Sequence, residues 1–173
     1  MAAGKIAFIC HDDQNKDGLF LADKRKRGLE FAVELGLHPE LRDTETRSIQ
    51  VLSCPSVHAR HFTEVLIELF ELKNYEWCDE LWSYGPHSDH NYFRAHELVT
   101  QRAEEADLVL VVTGESLAGC LPHTYFTEVM KQRVERYPLK PFEARVILPE
   151  QRRSICVNGT NAHAKNLAHA PMF

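Results

Sequence analysis

Short apolar runs alternate with longer segments of helical period along this 173-residue chain. Most of the runs are apolar at nearly every position, which is typical of strands covered on both faces of a sheet. A fifth run, residues 76–82, is more polar and is a weaker strand candidate. The predicted strands are residues 5–10, 48–53, 76–82, 107–113 and 143–148.

Between these strands, apolar residues repeat at i, i+3, i+4 and i+7, the period of an amphipathic helix. Strands that alternate with helices are joined by right-handed crossovers into a parallel sheet. The sequence therefore predicts a doubly wound α/β fold with five parallel strands. The predicted inward faces of the four helices are Leu29, Ala32, Val33 and Gly36; Phe62, Val65, Leu66 and Leu69; Tyr92, Ala95, His96, Val99, Ala103 and Ala106; and Phe126, Val129, Met130 and Tyr137.

The composition is that of one soluble domain, with 44% hydrophobic and 26% charged residues. A net charge of -5 argues against a nucleic-acid-binding domain, which is normally basic. No apolar run approaches the roughly 20 residues that a membrane helix needs, so no direct membrane insertion is expected. Five cysteines without a CxxC pair favour reduced thiols and a cytoplasmic location.

The loop after the first strand, residues 10–18, is acidic. It lacks the glycine-rich motifs that cradle phosphates, and its carboxylates repel anions, so we expect no nucleotide there. The spacing of Asp13, Asn15 and Asp17 resembles the first half of an EF-hand calcium loop. Lys24 occupies the twelfth position, where a bidentate Glu closes the calcium cage, so tight calcium binding is not predicted either.

Other sequence patterns are weaker indications of a catalytic or metal site. Ser116 lies between Gly114 and Gly119 with one residue too many for the GxSxG elbow of hydrolases. Two histidine pairs have a spacing that suits one metal ion on a helix, but no acidic or Cys ligand at fixed spacing completes either set. The sequence therefore predicts no catalytic triad, no metal and no cofactor. The two pairs are His58 with His61 and His87 with His90.

From residue 48 onward, the order of features resembles the SEFIR domain, the signalling module of the interleukin-17 receptors and their adaptor and a relative of the TIR domain. Residues 106–113, a small and a polar residue before a run of Val, are similar to the most recognisable strand of that family. The other similar segments are residues 48–58, 62–73, 76–82 and 137–148.

The resemblance implies a flavodoxin-like, TIR/SEFIR-like sheet in residues 48–150. Residues 1–47 then form an N-terminal strand-helix extension, and residues 151–173 form an irregular C-terminal tail. The implied function is intracellular signalling by homotypic association with SEFIR- or TIR-type domains, without catalysis.

The implied contact surfaces are the aromatic segment around residues 83–94 and the helix after the Val-rich strand. Aromatic residues and Arg dominate interface hot spots, which makes the first surface physically plausible. The implied partner-binding residues are Trp82, Tyr84, His87, His90, Tyr92, Phe93, Arg94, Lys131 and Arg133.

The alternative function is enzymatic. Some TIR domains cleave NAD with a Glu on the helix after the third strand of their fold, and Glu128 falls at about that place. An NAD-cleaving hydrolase that uses Glu128 is therefore the competing hypothesis.

Overall fold

The computed structural model describes residues 3–11, 21–82 and 88–158, with side chains at 21, 22 and 88–91 left out of the description. Residues 12–18 of the acidic loop singled out above therefore lie outside the described residues, as do Tyr84 and His87. None of the helices in the described ranges is long and apolar enough to cross a membrane.

Six strands form one mixed sheet in the order β3-β2-β4-β1-β5-β6. β1, β2, β3 and β4 are mutually parallel, whereas β5 runs antiparallel to β1, and β6 antiparallel to β5. The central strands β1 and β4 are buried almost throughout, which explains their continuous apolar runs. The strands are β1 (Lys5–Cys10), β2 (Ile49–Ser53), β3 (Tyr75–Trp77), β4 (Leu108–Thr113), β5 (Glu143–Leu148) and β6 (Arg153–Asn158).

Four α-helices cover the two faces of this sheet. The Ser53 hydroxyl on β2 bonds the hydroxyl of Thr63 in the second helix, on one face of the sheet. Ser53 pairs with Val112 of β4, so the next residue, Thr113, points to the opposite face, where its hydroxyl donates to the carbonyl of Leu81. The first helix packs against the second, and the third packs against the fourth and against the turn that contains Leu81, so the first two helices lie on one face and the last two on the other. The helices are α1 (Leu21–Leu37), α2 (Val57–Phe70), α3 (Ser88–Glu105) and α4 (Glu115–Thr124).

The mixed sheet corrects the predicted five-stranded parallel, flavodoxin-like sheet; the α/β class itself is confirmed. The difference arises after α4, where the chain makes one π-helical turn, Tyr125–Val129, and then runs without regular structure to residue 142. Lys131, with φ of 53°, ends the helical path. The chain consequently returns along β5 in the direction opposite to β1, and Tyr137 lies outside the helix in which it was predicted.

Two further predictions differ from the structure. Four residues that were predicted to face inward are exposed: Leu29 at 45%, Val33 at 39%, Leu69 at 38% and Val129 at 40%. Residues 153–158, predicted as part of an irregular tail, form the edge strand β6. Residues 5–10, which were predicted to belong to an N-terminal extension, form the strand β1 at the centre of the sheet, between β4 and β5.

Candidate functional site

The carboxyl ends of β1, β2 and β4 meet at one edge of the sheet. The backbone N–H of His11 donates to the carbonyl of Thr113 at 3.1 Å, and that of Cys54 donates to the carbonyl of Val112 at 3.0 Å. Helices α2 and α4 begin just beyond this edge. In open α/β sheets ligands bind outside the carboxyl ends of parallel strands, so this carboxyl edge is the first place to look for a site.

His11 follows β1 directly and is 2% exposed. Its Nε2 atom lies 3.8 Å from the Sγ atom of Cys54, the residue that follows β2. The two residues are 43 positions apart in sequence, and they meet because β4 lies between the two strands and holds both in register. A buried imidazole beside a thiol at a strand end is a combination suited to nucleophilic or acid–base chemistry.

Local hydrogen bonds hold the turn between β2 and α2. The backbone N–H of Ser56 donates to Cys54 Sγ at 3.4 Å, and the Ser56 hydroxyl accepts from the backbone N–H of Ala59 at 3.3 Å as the N-cap of α2. The remaining N–H groups of this first helical turn carry the positive end of the helix dipole. An anion at the carboxyl edge would meet this positive end.

The other hydroxyl and thiol groups of the edge are engaged in hydrogen bonds. Ser53 Oγ bonds the Thr63 hydroxyl at 2.7 Å and the carbonyl of Cys54 at 3.2 Å. Thr113 Oγ1 donates to the carbonyl of Leu81 at 2.7 Å, and Cys10 Sγ donates to the carbonyl of His11 at 3.4 Å.

Cys78 lies at the same edge, after β3, where its N–H donates to the carbonyl of Ser53. Burial, reinforced by the negative charges of Glu76 and Glu80, raises the pKa of the Cys78 thiol to about 12. Cys78 is therefore a neutral thiol at physiological pH and a poor nucleophile.

A groove between α1 and α2 lies next to this edge. It encloses a cavity of about 130 Å³ whose apolar lining includes Phe62, Val65 and Phe142. The backbone N–H of Phe142 donates to the carbonyl of Cys10 at 2.9 Å, which ties the groove to the residue before His11. His58 and His61, the first pair of histidines singled out in the sequence, both line this groove from α2.

The residues of the predicted partner surfaces are mostly exposed where the structure describes their side chains. Trp82 and Phe93 are 40% and 71% exposed. Arg94, Lys131 and Arg133 are exposed and Tyr92 is half-buried, whereas only the backbone of His90 is described, within α3. Glu128 is exposed too, 3.9 Å from the ammonium group of Lys131. Within the described residues, no three His, Cys, Asp or Glu side chains are grouped in a way that could hold a metal ion.

His11 and Cys54 are the residues that sequence reasoning missed. Each directly follows a strand that the sequence predicts, which was a usable signal. Their contact depends on the position of β4 between β1 and β2, and no local pattern shows this order.

No family model matches the chain, and no curated protein matches it. Its fold, however, is that of solved phosphatase structures. The protein histidine phosphatase SixA complexed with tungstate is 17% identical, with a TM-score of 0.61 over 91% of this chain and 98% of SixA. A candidate phosphohistidine phosphatase SixA from Agrobacterium tumefaciens is 13% identical, with a TM-score of 0.56 over 84% of this chain and 92% of its own.

A candidate alpha-ribazole-5'-P phosphatase from Escherichia coli is also similar, with 12% identity and a TM-score of 0.57 over 90% of this chain and 91% of its own. These TM-scores, at such low identities, establish a common fold alone.

These neighbours overturn the SEFIR resemblance, because the matching structures are phosphatases and not SEFIR or TIR domains. The homotypic signalling function, the SEFIR/TIR-type partners and the NAD-cleaving alternative with Glu128 are wrong for the same reason. The expectation of a non-catalytic module is contradicted as well, since the matched proteins are named for an enzymatic activity. The resemblance rested on apolar strand patterns, which many α/β sheets share.

Proposed function

We propose that this protein hydrolyses a phosphorylated substrate, with the phosphoryl group bound at the carboxyl edge beside His11. The observation that carries this proposal is the placement of His11, buried at the end of a central strand where β1, β2 and β4 converge. The shared fold supports it: the similar structures are named as phosphatases, and one of them binds tungstate, a tetrahedral oxyanion of phosphate-like shape.

The burial of His11 at the end of the central strand β1 favours its imidazole as the nucleophile. The hydroxyls of Ser53 and Thr113 and the thiol of Cys10 are held in hydrogen bonds to oxygen atoms of the protein. A neutral imidazole keeps a nitrogen lone pair that can attack phosphorus. Cys54, 3.8 Å from Nε2, positions the ring.

The reaction then proceeds in two steps. The imidazole nitrogen attacks phosphorus, the bond from phosphorus to the leaving group breaks, and the leaving group takes up a proton from solvent water. Water then attacks the phosphoimidazole, the N–P bond breaks, and inorganic phosphate is released. The N–H groups in the first turn of α2 would stabilise the negative charge on the phosphoryl oxygens. We infer a cytosolic setting for this activity, in line with the cysteine pattern.

The test is phosphate release from two small substrates, acetyl phosphate and phosphoramidate, by the purified protein. We expect turnover that falls about 10³-fold or more in His11→Gln. His38→Gln is the matched control, because the His38 side chain accepts a hydrogen bond from the backbone N–H of Glu40 and serves a local turn. It should leave turnover unchanged.

A second readout identifies the intermediate. Phosphate bound to an imidazole nitrogen is released by acid and survives alkali, and the trapped phosphoprotein should behave in that way. Equal turnover in the wild type and in His11→Gln would refute the assignment of the nucleophile. Binding of tungstate without any phosphate release would refute hydrolysis and leave an oxyanion-binding protein.

A further inference from the structure

Helix α1 carries an exposed apolar stripe along its length. Leu29, Val33 and Leu37 follow one another at intervals of four residues, so their side chains lie on one face of the helix. They are 45%, 39% and 69% exposed, and the described part of the chain therefore leaves this row largely uncovered. Single apolar residues are ordinary on a protein surface, whereas a contiguous apolar row is typical of an interaction site.

The charges of α1 are segregated along its axis. Basic residues occupy positions 24–27, near the start of the helix, and the only charged residues after them are Glu30 and Glu34. Of all these charges, only Asp23 in the first turn has the sign that the helix dipole favours at its position. Glu30 and Glu34 also have the i, i+4 spacing at which like charges destabilise a helix. The stability of α1 alone does not account for this distribution of charge.

Partners within the same chain neutralise only part of this pattern. The Arg25 guanidinium lies 3.7 Å from the Glu68 carboxylate, and that of Arg27 lies over an aromatic ring. Lys26 lies on the face of the stripe, three residues before its first leucine. Within the described residues, neither Lys26 nor Glu34 forms an ion pair. A cation near the start of the stripe and an anion near its end are thus available to a partner.

We propose that two copies of this chain associate through α1, with the two helices antiparallel about a two-fold axis. Such an axis brings the same surface of both copies together. When Leu29 of one copy lies level with Val33 of the other, Lys26 of each copy lies within one helical turn of Glu34 of the other. The basic start of each helix then also lies near the negative end of the other helix dipole. A parallel pair would set like charges against each other, which is repulsive.

The occupant favoured by these charges is a second copy. A partner with charges of one sign would complement only one half of α1, whereas an antiparallel copy complements both halves. Stable complexes use about 20–30 residues a side, and one face of this 17-residue helix presents fewer. We therefore expect a weak dimer, with a Kd of about 10–100 µM. The dimer is independent of the proposed hydrolysis, since His11 takes no part in it.

Sedimentation velocity of the full chain, between about 1 µM and 1 mM, measures this equilibrium. We expect the apparent mass to double over that range. Val33→Ser and Leu37→Ser should each raise the Kd about tenfold or more, because each removes an apolar contact of the stripe. Phe93→Ser is the matched control: Phe93 is an apolar residue on α3, 71% exposed, and its replacement should leave the Kd unchanged.

Two charge reversals, Lys26→Glu and Glu34→Lys, test the antiparallel arrangement. Each variant alone would set like charges opposite each other, so its Kd should rise about tenfold. An equimolar mixture of the two variants should associate as strongly as the wild type, because every contact then joins opposite charges again.

A chain that stays monomeric up to about 1 mM would overturn the proposal, and this is also the result expected if another part of the same molecule covers the stripe. Assemblies larger than two copies would overturn the two-fold arrangement. Equal weakening by Phe93→Ser would indicate unspecific apolar association and would overturn the assignment to α1. A mixture of the charge variants that associates no better than either variant alone would exclude the antiparallel pairing.

Discussion

Arg145 is an arginine buried inside the core, only 1% exposed on β5. Its Nε donates to the hydroxyl of Ser154 at 3.1 Å, and its guanidinium carbon lies 5.4 Å from the ring centroid of Phe126. Among the described residues, neither Nη atom has a hydrogen-bond partner, and no carboxylate interacts with the guanidinium group. Burial lowers the pKa of Arg145, but the guanidinium stays charged at neutral pH.

We expect Arg145→Met to stabilise the protein by about 1–2 kcal/mol. Burying an ion costs several kcal/mol even after relaxation. The hydrogen bond to Ser154 contributes roughly 2 kcal/mol of stability and the contact with Phe126 roughly 1–2 kcal/mol. Together these contributions are smaller than the cost of burying the charge. Methionine keeps an apolar stem of similar length and adapts to irregular gaps, so little packing is lost.

Urea denaturation followed by circular dichroism measures this change. The midpoint should rise with the slope m unchanged, and the melting temperature should rise by about 2–8 °C for a domain of this size. Arg145→Lys is the control: it keeps a buried charge and loses the bond from Nε, so it should be less stable than the wild type. A methionine variant that loses more than about 1 kcal/mol would show that the charge is compensated in the folded protein, and the reasoning would fail.

Two further predictions concern the core and its dependence on pH. Leu66→Ala should lower the free energy of unfolding by about 2–5 kcal/mol in the same titration, because Leu66 is fully buried. Leu69→Ala changes a position that is 38% exposed, so it should lower that free energy by less than about 1 kcal/mol. Similar losses in the two variants would contradict the orientation of α2. Burial lowers the pKa of His96, partly opposed by Glu128 and Glu97. The unfolded chain therefore binds the proton more readily, and stability is lost as the pH falls below about 6.5 toward the folded pKa. His96→Leu should lose less stability than the wild type between pH 7.5 and 5.5, and equal losses would exclude His96 as the titrating group.

The strands were predictable where their apolar runs are long. β1 and β5 have the predicted bounds, and β2 and β4 differ by one residue at their starts. These runs are buried on both faces, so composition alone reveals them. The hydrophobic pattern of a strand does not show the direction in which the strand runs, however, because an antiparallel β5 has the same sequence pattern as a parallel one. β6 was not predicted, because this edge strand of six residues has only Ile155 and Val157 as strongly apolar positions.

The helices show a second limit of prediction from sequence. The period of α1 admits two neighbouring faces, and the one containing Phe31 and Leu35 faces the sheet, whereas Leu29 and Val33 lie at its margin. Sequence reasoning placed no functional residue at the carboxyl edge, because a site assembled from the ends of strands depends on strand order. The order β2-β4-β1, in which the last of four parallel strands enters between the first two, brings His11 to Cys54.

The same strand order affects how the chain is made. β1 is synthesised first, and it exposes five residues that are buried in the folded protein, yet both of its neighbours come late: β4 begins at Leu108 and β5 at Glu143. At about 5–20 residues per second, β4 leaves the ribosome roughly 5–20 s after β1. During that interval β1, an apolar central strand of the sheet, has no partner strand, and pairings so distant in sequence also close slowly. The nascent chain is thus a natural client for chaperones that hold apolar segments until β4 and β5 have been made.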